Sequence, residues 1–268
     1  MTDPLAPIAD PAAPLARRNP AAKLAAAAVL TLALVVTLDP VAPGVALAAE
    51  LLAAPLFGIR LAALMRRAWP LLVSVSGAVL TLVLFAEDRS GTVLVDLGPF
   101  TVTTSVMSSA LALSLRLFAV ALPGVIVLAT TDPTDLADAL VQNARAPERF
   151  AIGTLAALRL VPLLTQEWRT IVLARRARGI DAGRNPVARL RLFASAAFTL
   201  LVGAIRRGTR LAAAMEARGF DSGAPRTHAR RQVFTRADTA LVAGAAALAA
   251  AALTASVLTG AFRPVFGG

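Results

Sequence analysis

Two copies of one five-residue phrase are the residues of this chain best suited to chemical recognition. They are Ala177-Arg178-Gly179-Ile180-Asp181 and Ala217-Arg218-Gly219-Phe220-Asp221, and their arginines are 40 residues apart. Glycine after a helical pattern is ordinary termination chemistry, but termination does not require the alanine or the aspartate in both copies. A guanidinium is a fixed cation that can grip a carboxylate through two hydrogen bonds. The repeat therefore predicts contacts with two like partners.

The segment 131–236 that carries both copies holds most of the positive charge. It contains eighteen arginines and eight acidic residues, a net +10. Asp132-Pro133 and Asn185-Pro186 are helix-start signals, and Ala146-Pro147-Glu148 begins another helix between them. Pro162 is expected to bend this second helix or divide it into two. The sequence thus predicts three helices, the last two of them long, apolar on one face and ending at the repeated phrases.

Composition places the chain among membrane proteins. Hydrophobic residues make up 57%, charged residues only 16%, and the mean hydropathy is +0.70. The net charge of +11 would suit nucleic acid, but in a membrane protein it more often marks cytoplasmic loops. We therefore expect an all-α polytopic membrane protein in the cell membrane, with no nucleic acid partner.

Few residues are available for catalysis or metal binding. The chain has no cysteine, one histidine and a single lysine, Lys23, which follows no phosphate-binding glycine loop. His228 lies in a polar run typical of a solvated loop. We expect no enzymatic activity, no cofactor and no metal site.

Apolar runs predict five membrane spans with a cytoplasmic N-terminus. They are 23–38, 44–57, 70–86, 106–128 and 237–258. Arg17, Arg18 and Lys23 hold the start of the first span inside, which is preferred over a twin-arginine export signal. The stretch 59–69 reads as an interfacial amphipathic helix, and two short runs within 92–104 of the outer loop predict a β-hairpin.

The resulting organisation has four parts. Residues 1–19 form a disordered cytosolic lead, 20–130 hold spans one to four, 131–236 form cytosolic helices lying under the membrane, and 237–268 hold the last span and a short tail. Two charges fall inside spans, Glu50 and Arg116, where isolated charges are costly. Three readings stay open: a pair between helices, which we prefer, a substrate or proton site at Glu50, or separate snorkelling to the interfaces.

The motifs together resemble the transmembrane scaffold subunit of energy-coupling factor transporters, the family that includes the cobalt-transport protein CbiQ. The resemblance covers nearly the whole chain after the lead. It rests on Asn19-Pro20-Ala21-Ala22-Lys23-Leu24, Thr131-Asp132-Pro133 with Asp135-Leu136, Arg159-Leu160-Val161-Pro162 with Glu167, and both Ala-Arg-Gly motifs. It implies a coupling subunit in which 131–236 form the coupling helices. Ala177, Arg178 and Gly179 would dock one ATP-binding-cassette ATPase subunit, and Ala217, Arg218 and Gly219 a second.

The resemblance further implies a third partner, a separate substrate-binding membrane subunit. The cargo would be a vitamin, a vitamin precursor, or cobalt or nickel, and its identity would reside in that other chain. Two alternatives have other sequence signatures. A permease of a conventional ABC importer docks through an E-A-A-x-x-x-G loop, which we do not find. A membrane-anchored RNA- or ribosome-binding protein would interleave aromatics with its arginines, whereas those of 131–236 fall mostly at helix-core spacing.

Overall fold

The computed structural model describes residues 13–59, 61–85, 90–96, 101–180, 183, 185–220, 230–262 and 264–265. Most of the expected disordered lead lies outside these ranges, as do Asp181, Asp221 and His228. The chain divides into two compact units. The first, called the bundle unit, contains 1–144 and 232–268, and the second, called the helix-pair unit, contains 145–231.

The architecture is all-α, as predicted. The bundle unit contains α1 (Pro20–Val35), α2 (Val41–Leu56), α3 (Leu61–Phe85), β1 (Val93–Asp96), β2 (Thr101–Thr103), α4 (Thr104–Thr130), α5 (Pro133–Ala144) and α8 (Arg236–Leu258). The helix-pair unit contains α6 (Glu148–Ala177) and α7 (Pro186–Ala217). The expected β-hairpin is confirmed, because β1 and β2 pair in antiparallel register from Val93 opposite Thr103 to Asp96 opposite Thr101.

Two helix boundaries predicted at prolines are not formed, while a bend at Pro162, the other alternative, stays a prediction. The interfacial helix and third span form one helix, α3, which runs through Pro70, and α6 continues past Pro162 without being divided. An internal proline removes one backbone hydrogen bond. Ending a helix leaves four carbonyls without partners, so continuing through the proline leaves fewer groups unsatisfied.

Helix length and hydropathy select four candidate membrane spans among the described residues: Ala68–Phe85 of α3, α4, α7 and α8. Together with the shorter apolar helices α1 and α2, they define a multi-pass membrane protein. Both shorter helices have 16 residues, or about 24 Å, against a hydrocarbon core of about 30 Å. The set differs from the five predicted spans in one respect that matters here: α7, expected under the membrane, is itself apolar enough to enter it.

Small residues let the helices of the bundle unit approach closely. Ala42, Ala46, Ala119 and Ala252 from α2, α4 and α8 form one buried cluster with Leu34 of α1. Alanine allows neighbouring backbones to come near each other where no hydrophobic effect drives helices together. This packing fixes the ends of α1, α2, α4 and α8 relative to one another.

Polar side chains fasten the start of α1 to two other helices. The Asn19 backbone N–H donates to the buried Asp238 carboxylate at 3.0 Å, and the same carboxylate completes a capping box with Thr235 at the start of α8. Lys23 was expected to flank the first span at the membrane surface. It is buried instead, and its ammonium donates to the Thr130 carbonyl at 2.9 Å, at the end of α4.

Candidate docking site

The end of α6 is an exposed helix tip. Arg178 is the cap residue, and Gly179 follows it at φ +74°, a left-handed conformation that favours glycine. The Gly179 N–H donates to the Arg176 carbonyl at 2.9 Å and the Ile180 N–H to the Arg175 carbonyl at 3.0 Å. This pair of bonds is a Schellman motif, which satisfies the last carbonyls of the helix without outside partners.

The end of α7 repeats that geometry. Arg218 has the same backbone angles as Arg178, φ −88° and ψ 9°, and Gly219 has φ +73°. The Gly219 N–H donates to Glu216 at 2.9 Å and the Phe220 N–H to Met215 at 3.0 Å. The two phrases that the sequence repeats therefore have the same backbone structure from the alanine to the residue after the glycine.

Neither arginine is used by the fold as described. Arg178 and Arg218 are exposed, and no hydrogen bond or ion pair joins their guanidinium groups to any residue in the described ranges. Ala177, Gly179, Ala217 and Gly219 are also exposed. Among the described residues, each tip thus presents a guanidinium without a side-chain partner beside two small residues, a shape that can enter a groove and a charge that can pair with a carboxylate.

Contacts between α6 and α7 show that the two helices run in opposite directions. Arg175 near the end of α6 donates to the Leu192 carbonyl at 3.0 Å and to Ser195, near the start of α7. Earlier on α6, Glu167 pairs with Arg207, which is later on α7. Trp168 packs edge-on against Phe193 with ring centroids 5.2 Å apart between these levels.

The antiparallel arrangement places the two tips at opposite ends of the helix pair. Arg178 lies just beyond the level where Arg175 meets Ser195. From Ser195, α7 continues to Arg218 over roughly 35 Å, at about 1.5 Å per residue. Two tips so far apart have room to reach two separate partners. The role of Arg175 in joining the helices was not predicted, because in the sequence it is one of several arginines at this helix end.

The predicted pair between Glu50 and Arg116 is not formed. Arg116 on α4 donates to the Leu34 and Val35 carbonyls at 3.2 and 2.9 Å, where it caps the end of α1. Both Glu50 carboxylate oxygens are buried, and no residue that the structure describes forms a hydrogen bond with them. Arg116 finds unsatisfied carbonyls at the end of a helix, which a guanidinium caps well. Sequence alone did not show that α1 would end beside it.

The fold and the tips define a class: an all-α, multi-pass membrane protein that carries two matched, exposed cationic helix tips. The chain belongs to the CbiQ family, whose model is described as cobalt transport protein and matches residues 11–229. It is 34% identical to the energy-coupling factor transporter transmembrane protein EcfT of Exiguobacterium sibiricum, over 58% of this chain and 62% of that protein. It is 32% identical to EcfT 1 of Listeria monocytogenes, over 65% of this chain and 67% of that protein.

A third relative differs in kind. The chain is 32% identical to a Bifidobacterium longum protein named as an ABC transporter ATP-binding protein, over 53% of this chain but 19% of that protein. The matched region spans less than two thirds of the Exiguobacterium relative as well.

Proposed function

We propose that this protein is the energy-coupling transmembrane scaffold of an energy-coupling factor importer. In this role it docks two ABC ATPase subunits through the α6 and α7 tips. It passes their ATP-driven motion to a separate substrate-binding membrane subunit, whose cargo is a vitamin or a transition-metal ion. The chain itself catalyses no reaction. The coupling segment is 131–236, its helices lie under the membrane, and the N-terminus is cytoplasmic.

The observation that carries this proposal is the matched pair of tips. Their backbone geometry is the same to within a degree or two, and neither guanidinium forms a hydrogen bond or ion pair with a described residue. Duplicated geometry at two separated points suits a pair of equivalent partners, whereas a single partner would need one tip. Arginine suits the contact because its guanidinium binds a carboxylate in a fixed, bidentate geometry.

Exposed apolar side chains on α6 and α7 support the proposed contact with a substrate-binding membrane subunit. Large hydrophobic residues of these helices with roughly half or more of their surface exposed are Phe150, Val161, Leu163, Leu173, Val187, Leu190, Phe193, Phe198, Leu201 and Ile205. An apolar surface of this extent marks an interaction with protein or membrane. A substrate-binding membrane subunit is a suitable occupant, because it can rest on the exposed apolar side chains of α7 at the membrane surface.

The names of the relatives support the assignment to this transporter class. Two relatives are named as the transmembrane protein of an energy-coupling factor transporter. The Bifidobacterium protein, of which this chain matches only 19%, is named as an ATP-binding protein of an ABC transporter. In that protein, a segment similar to this chain belongs to a polypeptide that is named for ATP binding.

Coupling follows from rigid helices with partners at their ends. Closure of two ATPases around ATP would move the docked tips relative to each other, and α6 and α7 would carry the displacement along their length. The surface holding the substrate-binding subunit would move with them. That subunit would then tilt and release its cargo inside. Coupling of this kind requires two discrete arrangements of the helix pair.

Co-purification from native membranes tests the proposal. The tagged full-length chain is expected to recover two ATPase copies and one small integral membrane protein, identified by mass spectrometry. The double variant R178E/R218E is expected to lose the ATPases, because each docking carboxylate would then face a like charge. The matched control R176E/R210E changes two exposed arginines on the same helices by the same charge, and it is expected to retain them. Equal ATPase recovery by the two double variants would refute the docking assignment.

A further inference from the structure

The bundle unit encloses a cavity of about 330 Å³ that the docking function does not use. It lies where α1 and α8 begin and α2 and α4 end, with Ala26 and Leu30, Ala53, Ile126 and Leu241 in its wall. The wall is almost entirely apolar. Its volume falls at the lower end of the range that binding sites for small organic molecules occupy.

Glu50 of α2 stands in this apolar wall. Only 6% of the surface of Glu50 is exposed, and neither of its carboxylate oxygens has a hydrogen-bond partner among the described residues. Buried polar side chains in proteins nearly always have partners, and leaving a carboxylate without one is costly. Among the described residues, the Glu50 carboxyl group is therefore available to a ligand in the cavity.

Two described cations of the bundle unit that could pair with Glu50 have other partners. Lys23 also borders the cavity, but its ammonium donates to the Thr130 carbonyl and the Thr131 hydroxyl. Arg116 is bound to carbonyls at the end of α1. Neither of these two cations is therefore available to Glu50.

We propose that this cavity binds a small amphiphilic amine, with the ammonium group at Glu50 and the apolar body between α1, α2, α4 and α8. The chemistry of the site has two independent parts. Its one acidic side chain without a partner selects a cationic donor, and its apolar wall selects a hydrocarbon body. A phosphate or carboxylate ligand would place a second negative charge beside Glu50. This site is separate from the docking tips, and its occupancy does not depend on the ATPases.

A hydrophobic carbodiimide reports on the site directly. The carboxyl O–H of Glu50 adds across one C=N bond of dicyclohexylcarbodiimide, and the acyl group then shifts from oxygen to nitrogen to give an N-acylurea with no leaving group. A primary amine also attacks the activated carboxyl, giving an amide and releasing dicyclohexylurea. Mass spectrometry of the full-length protein in nanodiscs therefore counts the N-acylurea and any such amide at Glu50 together as labelling. Octylamine is the amine probe, and octanol is the matched probe with the same chain but no cation.

The expected result is labelling at Glu50 that octylamine slows about tenfold more than octanol at the same concentration, since a hydrogen bond to a charged group contributes that much. Glu50→Gln should remove the label and so confirm its position. Equal protection by octanol would overturn the choice of an amine. No adduct at Glu50 in the wild-type protein would overturn the site itself.

Two glycine variants localise the protection. Gly244 borders the cavity and Gly77 does not, and a Cβ added at either meets no atom within 4 Å. Gly244→Leu is expected to fill the cavity and abolish the difference between octylamine and octanol, while Gly77→Leu keeps it. Protection by octylamine that survives unchanged in Gly244→Leu would place the amine elsewhere and overturn the proposal. If Gly244→Leu does not fold, the wild-type comparison of the two probes still decides it.

Discussion

The end of α2 and the end of α6 have the same backbone structure in opposite surroundings. At α2, the Gly58 N–H donates to Pro55 and the Ile59 N–H to Ala54, both at 3.0 Å, and Gly58 has φ +78°. Those values match the α6 tip closely. Yet Ile59 is 5% exposed and Ile180 is 46% exposed.

The glycines themselves show the difference most directly. A Cβ on Gly58 would lie 2.7 Å from the Ala13 Cβ, whereas a Cβ on Gly179 would meet nothing within 4 Å. A Schellman motif therefore ends a helix equally well against a neighbour or in open space. Since the local structure is shared, it is the surroundings that distinguish the α6 tip: among the described residues, the α2 end is packed against Ala13 and the α6 end is exposed.

The largest expected effect is a loss of ATPase binding when an arginine at a tip is replaced, compared with an arginine in the body of the same helices. Arg178→Ala and Arg218→Ala should each weaken ATPase retention by about 2 to 5 kcal/mol, roughly 30-fold or more in affinity, because a partner's carboxylate is left without its cation. Arg210→Ala removes an exposed arginine from the body of α7 and should leave affinity nearly unchanged. The measurement is binding of the purified ATPase pair to each variant in nanodiscs. A loss for Arg210→Ala equal to that of the tip variants would show that net charge, not the tip, governs docking.

The second prediction compares the two glycines. Gly58→Ala should destabilise the protein by about 3 kcal/mol, because alanine is strained at positive φ and its Cβ overlaps Ala13. Gly179→Ala meets open space and should cost only the backbone strain, about 1 kcal/mol. Denaturant titration of both variants in the same micelles gives the comparison. Equal destabilisation would mean that the α6 tip is packed in solution.

The third prediction concerns the cation that the bundle unit buries. Lys23→Met keeps the length of the side chain but removes the donor to the Thr130 carbonyl, so it should cost about 2 kcal/mol. Arg17 is exposed, and Arg17→Met should change stability by less than about 0.5 kcal/mol. The same titration measures both. A neutral Lys23→Met would indicate that Thr130 finds another donor when the lysine is absent.

Local sequence signals predicted the parts of the fold that local chemistry determines. Asn185-Pro186 begins α7, with the Asn185 side chain accepting from the Val187 N–H at 3.0 Å, and the glycines end α6 and α7 where expected. The docking triplets, residues 177–179 and 217–219, were identified by their repetition, which needs no knowledge of the fold. Their role remains a prediction.

Contacts between distant segments were the part that the sequence did not reveal. Lys23 meets Thr130 across 107 residues, and nothing near Lys23 in the chain distinguishes a buried tie from a cation at the membrane surface. The same holds for Arg116, whose partners at the end of α1 depend on where α1 stops. The prolines led to wrong helix boundaries for a different reason. Pro70 and Pro162 are strong breakers in isolation, but both helices continue through them.

The smallest effect should come from the ion pair between Glu167 and Arg207, which joins α6 to α7. Both side chains are about a third exposed, so water screens the pair, and its coupling energy should be below about 1 kcal/mol. A double-mutant cycle with E167Q, R207Q and both together isolates this coupling energy. The measured quantity is the opening free energy of α6 and α7, obtained from hydrogen exchange. Phe193→Ala provides the contrast, because it removes the aromatic contact with Trp168. It should lower the opening free energy of α6 and α7 more than the loss of the ion pair does. A Glu167–Arg207 coupling above about 2 kcal/mol would instead show that this pair is shielded from water, which surface pairs are not. The ion pair would then contribute substantially to the stability of the α6–α7 pair.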